Sequence, residues 1–309
     1  MSLLDTPLCR LLGVRFPLVQ APMANTAPPA LAAAVTSAGA LGSVAGGALS
    51  ADELRAAIRE VRAATDGSFA VNLFAPPYLR DGAVEVLLEE RPPVFSFTFG
   101  LVDPRPLREA GIVVLGTATT VEEAQALARA GVNAVVAQGA EAGGHRGSFL
   151  DGFPLVPLAE LLPACVDGVS VPVVAAGGIM DGAGIAAALR LGAKGVSLGT
   201  AFLFTPEAAV PPDHLQSLRS HPTVVTDAYT GRPMRAARTP VLEGLMAGPA
   251  PLPFPEQRAV AAEKGPVFMG GTGAARGREL GAVELVRLLA FETEVAITPG
   301  GEVPSPTRD

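Results

Sequence analysis

Along the first 205 residues, short apolar runs alternate with Gly-rich or polar turns and alanine-rich stretches of helical spacing. The apolar runs predict eight strands: Pro17–Gln20, Ala40–Val44, Phe69–Leu73, Val94–Phe97, Val113–Gly116, Ala134–Ala137, Val173–Ala176 and Gly195–Leu198. Most lack in/out alternation, as expected of parallel strands buried on both faces. Helix starts can be named between them. Ser50 stands three residues before Glu53, the spacing of a reciprocal cap, and opens a helix to about Ala64. Thr120 and Glu123 repeat that spacing before Ala124–Ala130, where Gly131 supplies a stop. Asp181 opens a third helix that Gly192 ends.

Eight strand–helix units in about 200 residues predict an α/β fold of the (β/α)8 TIM-barrel type. A doubly wound open sheet is the alternative, but Gln20-Ala21-Pro22-Met23 follows the first strand where that fold places its Gly-rich turn. The rhythm stops after Phe204, and prolines crowd Thr205 to Pro255. A final amphipathic helix is predicted from about Arg276 to Ile297, with Leu280, Val283, Val286 and Leu289 at three-residue steps. The expected organisation is a barrel over residues 1–205, a smaller, mostly helical substrate or lid lobe over 206–275, and a returning C-terminal segment over 276–309. Pro299 to Asp309 read as a frayed end.

Composition narrows the classes. Hydrophobic residues make up 49% and charged residues 17%, which excludes a disordered chain. A formal charge of −7 and the lack of a basic stripe argue against nucleic acid and anionic membrane as partners. No apolar stretch has the length of a membrane span, and no signal-peptide pattern opens the chain. Cys9 and Cys165 make neither a disulfide framework nor a metal motif. The expectation is a cytoplasmic protein with no metal site; a homo-oligomer stays open.

In such a barrel the chemistry sits at the carboxyl ends of the strands. Gly177, Gly178, Gly199 and Thr200 follow the last two strands, the usual phosphate position, where glycine lets backbone N–H groups approach an anion. The helix start at Asp181 would add positive potential, although tight packing at a barrel rim uses glycines too. After Ala134–Ala137 comes Gln138, then Gly143 and Gly144, then His145, a histidine presented among glycines. Its imidazole can take or give a proton near neutral pH, or simply cap a carbonyl. Asn72 and Gln138 offer amide donors and acceptors, and Met23 an apolar face. Of the two lysines, Lys194 precedes the last strand at the opposite face and Lys264 lies outside the barrel, which argues against a Schiff-base aldolase.

Six segments carry a family resemblance: Gln20-Ala21-Pro22-Met23, Val71-Asn72-Leu73-Phe74, Ser96-Phe97-Thr98-Phe99-Gly100, Ala137-Gln138-Gly139 through Gly147, Ala175-Ala176-Gly177-Gly178-Ile179-Met180-Asp181-Gly182, and Gly199-Thr200-Ala201-Phe202. In this order they resemble the nitronate monooxygenase family. The resemblance implies FMN as cofactor, with an alkyl nitronate and O2 as small-molecule substrates giving a carbonyl compound and nitrite. It implies FMN contacts from Asn72, Gln138, Gly143, Gly144, Gly177, Gly178 and the run Ser197, Leu198, Gly199 and Thr200, with Ala21, Pro22 and Met23 lining the ring. His145 matches the family's active-site histidine; it would orient the nitronate, attract it when protonated, and take the α-proton of a neutral nitroalkane. Thr98 stands where many relatives have histidine, and Pro255-Glu256-Gln257-Arg258 where they carry Tyr and Lys near the substrate. The alternative within the same barrel is an FMN-dependent NAD(P)H oxidoreductase acting on quinones or enoyl-acyl-carrier-protein.

Overall fold

The computed structural model describes residues 4–150 and 152–298. Its strands are β1 (Leu18–Gln20), β2 (Gly42–Ala45), β3 (Phe69–Phe74), β4 (Val94–Thr98), β5 (Val113–Ala118), β6 (Ala134–Gln138), β7 (Gly144–His145), β8 (Val173–Ala176), β9 (Gly195–Leu198), β10 (Thr223–Thr226) and β11 (Met234–Ala237). All eight predicted strands form, and they pair in parallel in the order β1-β9-β8-β6-β5-β4-β3-β2. A parallel bridge between Val19 and Leu41 closes the ring, with Gln20 N donating to Leu41 O at 2.8 Å. This is the expected TIM barrel.

Side-chain alternation along the strands sorts the interior into levels. Val19, Ala70, Val94, Leu115, Ala134 and Val174 form an apolar floor, one from each of six strands. The helix Pro7–Leu12 plugs it from below with Leu8 and Leu12. Two residues further along β3 the inward position is Asn72, and two further still Phe74; on β4 the same step leads from Val94 to Ser96 and Thr98. The lumen therefore passes from apolar to polar to aromatic as the strands approach their carboxyl ends. The opposite strand faces pack on the outer helices in a second, larger apolar cluster.

The helices follow local signals. Ser50 caps Ala51–Ala64 with both halves of the reciprocal arrangement: Glu53 N donates to Ser50 Oγ at 3.3 Å and Ser50 N to Glu53 Oε2 at 2.8 Å. Leu54, Ala57, Ile58 and Val61 then bury one stripe. Thr120 caps Val121–Ala130, but the Glu123 carboxylate does not return to it. It accepts instead from Thr119 N, Thr119 Oγ1, Phe149 N and Leu150 N.

The segment beyond Phe204 differs from expectation. It has helices, Pro212–Ser220, Pro240–Met246 and Gln257–Ala262, but also an antiparallel sheet in the order β10-β11-β7. The strand β7 is part of the barrel's own histidine loop, so the lobe is stitched to the mouth by backbone pairing. The last helix starts at Ala282 rather than Arg276. A Cβ on Gly277 would lie 2.2 Å from the Phe204 ring, so the chain crosses that ring in extended form before the helix begins. The expected frayed end, Pro299 to Asp309, lies outside the described residues. Among the described residues no helix is long and apolar enough to cross a membrane.

The floor plug yields a test. Leu8 is fully buried, so Leu8→Ala should lower the unfolding free energy by about 2–4 kcal/mol, read from urea denaturation. A loss below about 1 kcal/mol would mean the floor is not packed as described.

Candidate active site at the carboxyl ends of the strands

Except for Ser197 and the Leu198 side chain, the residues singled out in the sequence for a site lie at or near one rim of the barrel. Ala21, Pro22 and Met23 leave β1, Asn72 lies on β3, Gln138 ends β6, Gly177 and Gly178 follow β8, and Gly199 and Thr200 follow β9. Ser197 pairs in register with Val19 of the inner floor. Leu198 belongs to the outer apolar cluster, so only its backbone faces the lumen's rim.

Gly177 and Gly178 have φ of 126° and 70°, values that suit only glycine. A Cβ on Gly178 would sit 3.0 Å from Glu141 Cβ and 3.3 Å from Thr272 Oγ1. One on Gly143 would sit 2.5 Å from the Gly270–Gly271 backbone. Thr200 Oγ1 accepts from Gly271 N at 2.9 Å, and Glu141 O from Thr272 N at 3.1 Å. Three loops and the Gly270–Gly273 turn thus meet with almost no side chain between them.

The helix start at Gly182 does not supply open positive potential, contrary to expectation. Asp181 Oδ1 accepts from Gly184 N, and Glu292 Oε2 from Gly182 N, each at 2.9 Å. Two carboxylates already occupy the donors that an anion would use. Arg276 and Arg278 pair with them, Arg276 with Asp181 and Arg278 with Glu292, both at 2.6 Å.

The histidine loop is fixed from four directions. Gln138 clasps it: Gln138 Nε2 donates to His145 O at 3.0 Å, and Gly147 N donates to Gln138 Oε1 at 2.8 Å. Arg146, fully buried, turns back to donate to Gly139 O at 2.6 Å and Gln138 O at 3.0 Å. Its Nε has no partner among the described residues, and burial pulls its pKa down to about 10, still charged at neutral pH. Arg232 from the lobe donates to the carbonyls of Arg146 and Ser148. Glu123 collects the N–H groups of Phe149 and Leu150 from behind.

Above this loop His145 pairs with Met234 of β11, and Arg146 N donates to Pro233 O at 2.8 Å. The imidazole lies edge-on to Phe99 and Phe254, with ring centres 5.9 and 5.4 Å away. Phe74 and Tyr78 complete an aromatic wall, and the Arg232 guanidinium sits 3.9 Å over the Phe99 ring. The His145 ring keeps some surface but is crowded by protein on most sides. Burial, then the positive charges of Arg232 and Arg258, push its pKa down to about 4. At neutral pH the ring is a neutral base; the positive charge that could draw in an anion belongs to the two arginines. The expectation of a protonated, anion-attracting histidine is therefore corrected.

Apart from Gln138, the wall and clasps have no role assigned from the sequence. Phe74, Phe99 and Arg146 stand in the sequence only as members of motifs, while Tyr78, Thr230, Arg232 and Phe254 carry no spacing that marks them.

Comparison with known proteins settles the family. The nitronate monooxygenase family model matches residues 5–80 and 77–283. The chain belongs to the nitronate monooxygenase family. Curated family members include the nitronate monooxygenases of Pseudomonas aeruginosa, 40% identical over 92% of this chain and 97% of that one, and of Paraburkholderia phytofirmans, 39% identical over 93% and 94%. Among solved structures, the nitroalkane oxidase of Streptomyces ansochromogenes superposes with a TM-score of 0.86 at 36% identity, covering 94% of this chain and 98% of the other. FabK from Thermotoga maritima gives a TM-score of 0.81 at 33% identity, covering 94% and 96%. Membership of this family makes the protein an oxidoreductase.

The depressed pKa makes a stability prediction. The unfolded ring, with a pKa of about 6.5, takes a proton before the folded one does. Folded-state stability should therefore fall as pH drops from about 6.5 to about 4, and His145→Gln should lose less over that range. Urea titrations of both proteins at the two ends of the window check this; equal losses would mean the ring titrates normally.

Proposed function

We propose that the protein holds FMN across the barrel mouth and oxidises an alkyl nitronate with O2 to a carbonyl compound and nitrite, acting in the cytoplasm. The observation that carries this reading is the juxtaposition of a side-chain-free glycine rim with a neutral, aromatic-walled histidine under two arginines. Residues 1–205 are read as the cofactor barrel, 206–275 as the substrate lobe and 276–309 as a returning segment.

The residues present fit FMN. Close packing at Gly143 and Gly178, where a Cβ would press on neighbouring protein, keeps side chains out of the rim, and the backbone of Gly177, Gly199 and Thr200 would approach a phosphate beside it. Asn72 Nδ2 donates to Ser96 Oγ at 2.9 Å, which leaves Asn72 Oδ1 as an acceptor. Gln138 has one N–H beyond its clasp. These amide groups suit a flavin ring edge or ribityl chain, and Ala21 to Met23 its apolar face. Bound FMN would supply the redox chemistry, passing electrons from the substrate to O2.

The protein supplies position and charge. Arg232 and Arg258 draw the anionic nitronate toward the mouth. Phe74, Phe99 and Phe254 take its alkyl part and exclude water. Where a neutral nitroalkane is presented, His145 removes the α-proton, and the C–H electron pair becomes the carbanion that the nitro group delocalises. Because the ring is neutral down to about pH 4, kcat/KM for the neutral nitroalkane should fall only below about pH 5.

Anaerobic rapid mixing tests the reading. Bleaching of the flavin absorbance by a nitronate, with NAD(P)H ineffective, is expected. Rapid bleaching by NAD(P)H would favour the quinone or enoyl-acyl-carrier-protein reductase reading. His145→Ala should keep FMN while turnover of neutral nitroalkane falls by roughly 10²-fold or more; unchanged turnover removes His145 from the chemistry.

A further inference from the structure

Thr230 sits in the turn between β10 and β11, is fully buried, and has one hydroxyl proton to give. We assign that proton to the nearer of two possible acceptors, the carbonyl of Arg232, at 2.9 Å from Thr230 Oγ1 against 3.1 Å for His145 Nε2. The oxygen can then only accept from other neighbours. Arg232 N is one, at 3.4 Å, and His145 Nε2 is the other, at 3.1 Å. For the second contact to be a hydrogen bond the proton must sit on Nε2. Neutral imidazole carries a single N–H, so Nδ1 is left bare. Nδ1 has no partner among the described residues, nor is it one of their buried unpaired atoms, so it remains reachable.

We propose that Thr230 is a positioning residue that locks His145 as its Nε2–H tautomer and so assigns proton abstraction to Nδ1. The inference rests on the reading of His145 as the base. In the step it describes, the substrate's α-C–H bond breaks and an Nδ1–H bond forms. The electron pair stays on the carbon and spreads into the nitro group. The imidazolium that results keeps donating through Nε2 to Thr230, so the product state loses no hydrogen bond. The charged and titratable groups facing the ring are Arg232 from the turn and Arg258 from the helix Gln257–Ala262, with Tyr78 behind Arg232. Both arginines disfavour a second proton on the ring, and neither can accept a hydrogen bond and so hold an N–H in place. That selection falls to Thr230.

The test is nitrogen NMR of the flavin-loaded protein carrying 15N-labelled histidine, with the His145 signals assigned by their loss in His145→Gln. Wild type should show Nε2 as an N–H and Nδ1 as a bare nitrogen at neutral pH. Thr230→Val should shift the ring toward the other tautomer, and Thr230→Ser should restore the wild-type pattern. A proton on Nδ1 in wild type, or an unchanged pattern in Thr230→Val, overturns the lock. The wild-type measurement stands even if the valine variant does not fold, and it needs no substrate. A protein that shows the Nε2–H tautomer but oxidises no nitro compound therefore sinks the substrate reading alone. Kinetics then read the assignment to Nδ1: the ratio of neutral-nitroalkane to nitronate turnover should drop about tenfold in Thr230→Val and recover in Thr230→Ser. A ratio that stays put overturns it.

Discussion

The pairing of His145 with Met234 and of Gly144 with Arg235 is the constraint on which the site depends. Without it the loop after β6 would be a glycine-rich excursion free to take many conformations, because Gly143 and Gly144 give the backbone little preference. With it, two residues of the barrel become the edge of the lobe's own sheet. The pairing also explains why the loop needs internal clasps. A two-residue strand contributes few hydrogen bonds, so the Gln138 amide, the Arg146 guanidinium and the Glu123 carboxylate each hold another part of the loop to the barrel. The result fixes the imidazole between rigid elements on both sides, where a catalytic group has to be held to within fractions of an ångström.

That placement carries an electrostatic compromise. A protonated histidine would attract an anion but could not accept a proton. Burial beside Arg232 and Arg258 resolves the conflict by dividing the work: the arginines keep the charge and the imidazole stays neutral. The arrangement is costly for Arg232. Burial pulls the pKa of Arg232 down, and its guanidinium is hydrogen-bonded by carbonyls and covered by the Phe99 ring, with no carboxylate in direct contact; Tyr78 and the more distant Glu123 offset part of the burial cost. A carboxylate there would cancel the field that disfavours ring protonation. Carbonyl acceptors satisfy the donors and leave the net charge intact.

What the sequence disclosed follows from the range of the interactions involved. The strands were legible because parallel strands buried on both faces are continuous apolar runs, and the Ser50 cap because it is made by neighbours three residues apart. The glycine rim was legible because positive φ leaves its mark as glycine. The sheet in the lobe was missed although Thr223-Val224-Val225-Thr226 is a β-branched run, because its third strand lies some 80 residues upstream, in a segment too short to announce itself. The same holds for Glu123: its spacing from Thr120 predicted a local cap, and a distant loop claimed the carboxylate instead. The free helix end at Gly182 was misread for a parallel reason, since Glu292 arrives from 110 residues away.

These ranges bear on how such a barrel can change its chemistry. The rim built from Gly177, Gly178, Gly199 and Thr200 is held by strands and by one close-packed turn, and the positive φ of Gly177 and Gly178 strains any side chain added at those two positions. The wall over His145 is different. Phe254 and Arg258 come from the lobe and act on the imidazole through their side chains, whereas Arg232 also holds the histidine loop through the carbonyls of Arg146 and Ser148. Phe254 or Arg258 can be replaced without removing the strand pairing that fixes His145, because that pairing uses backbone groups alone. The element that aims the histidine and the element that shapes its surroundings are thus the same lobe, acting through separable atoms. Substrate preference can shift through the side chains while the geometry of the base persists.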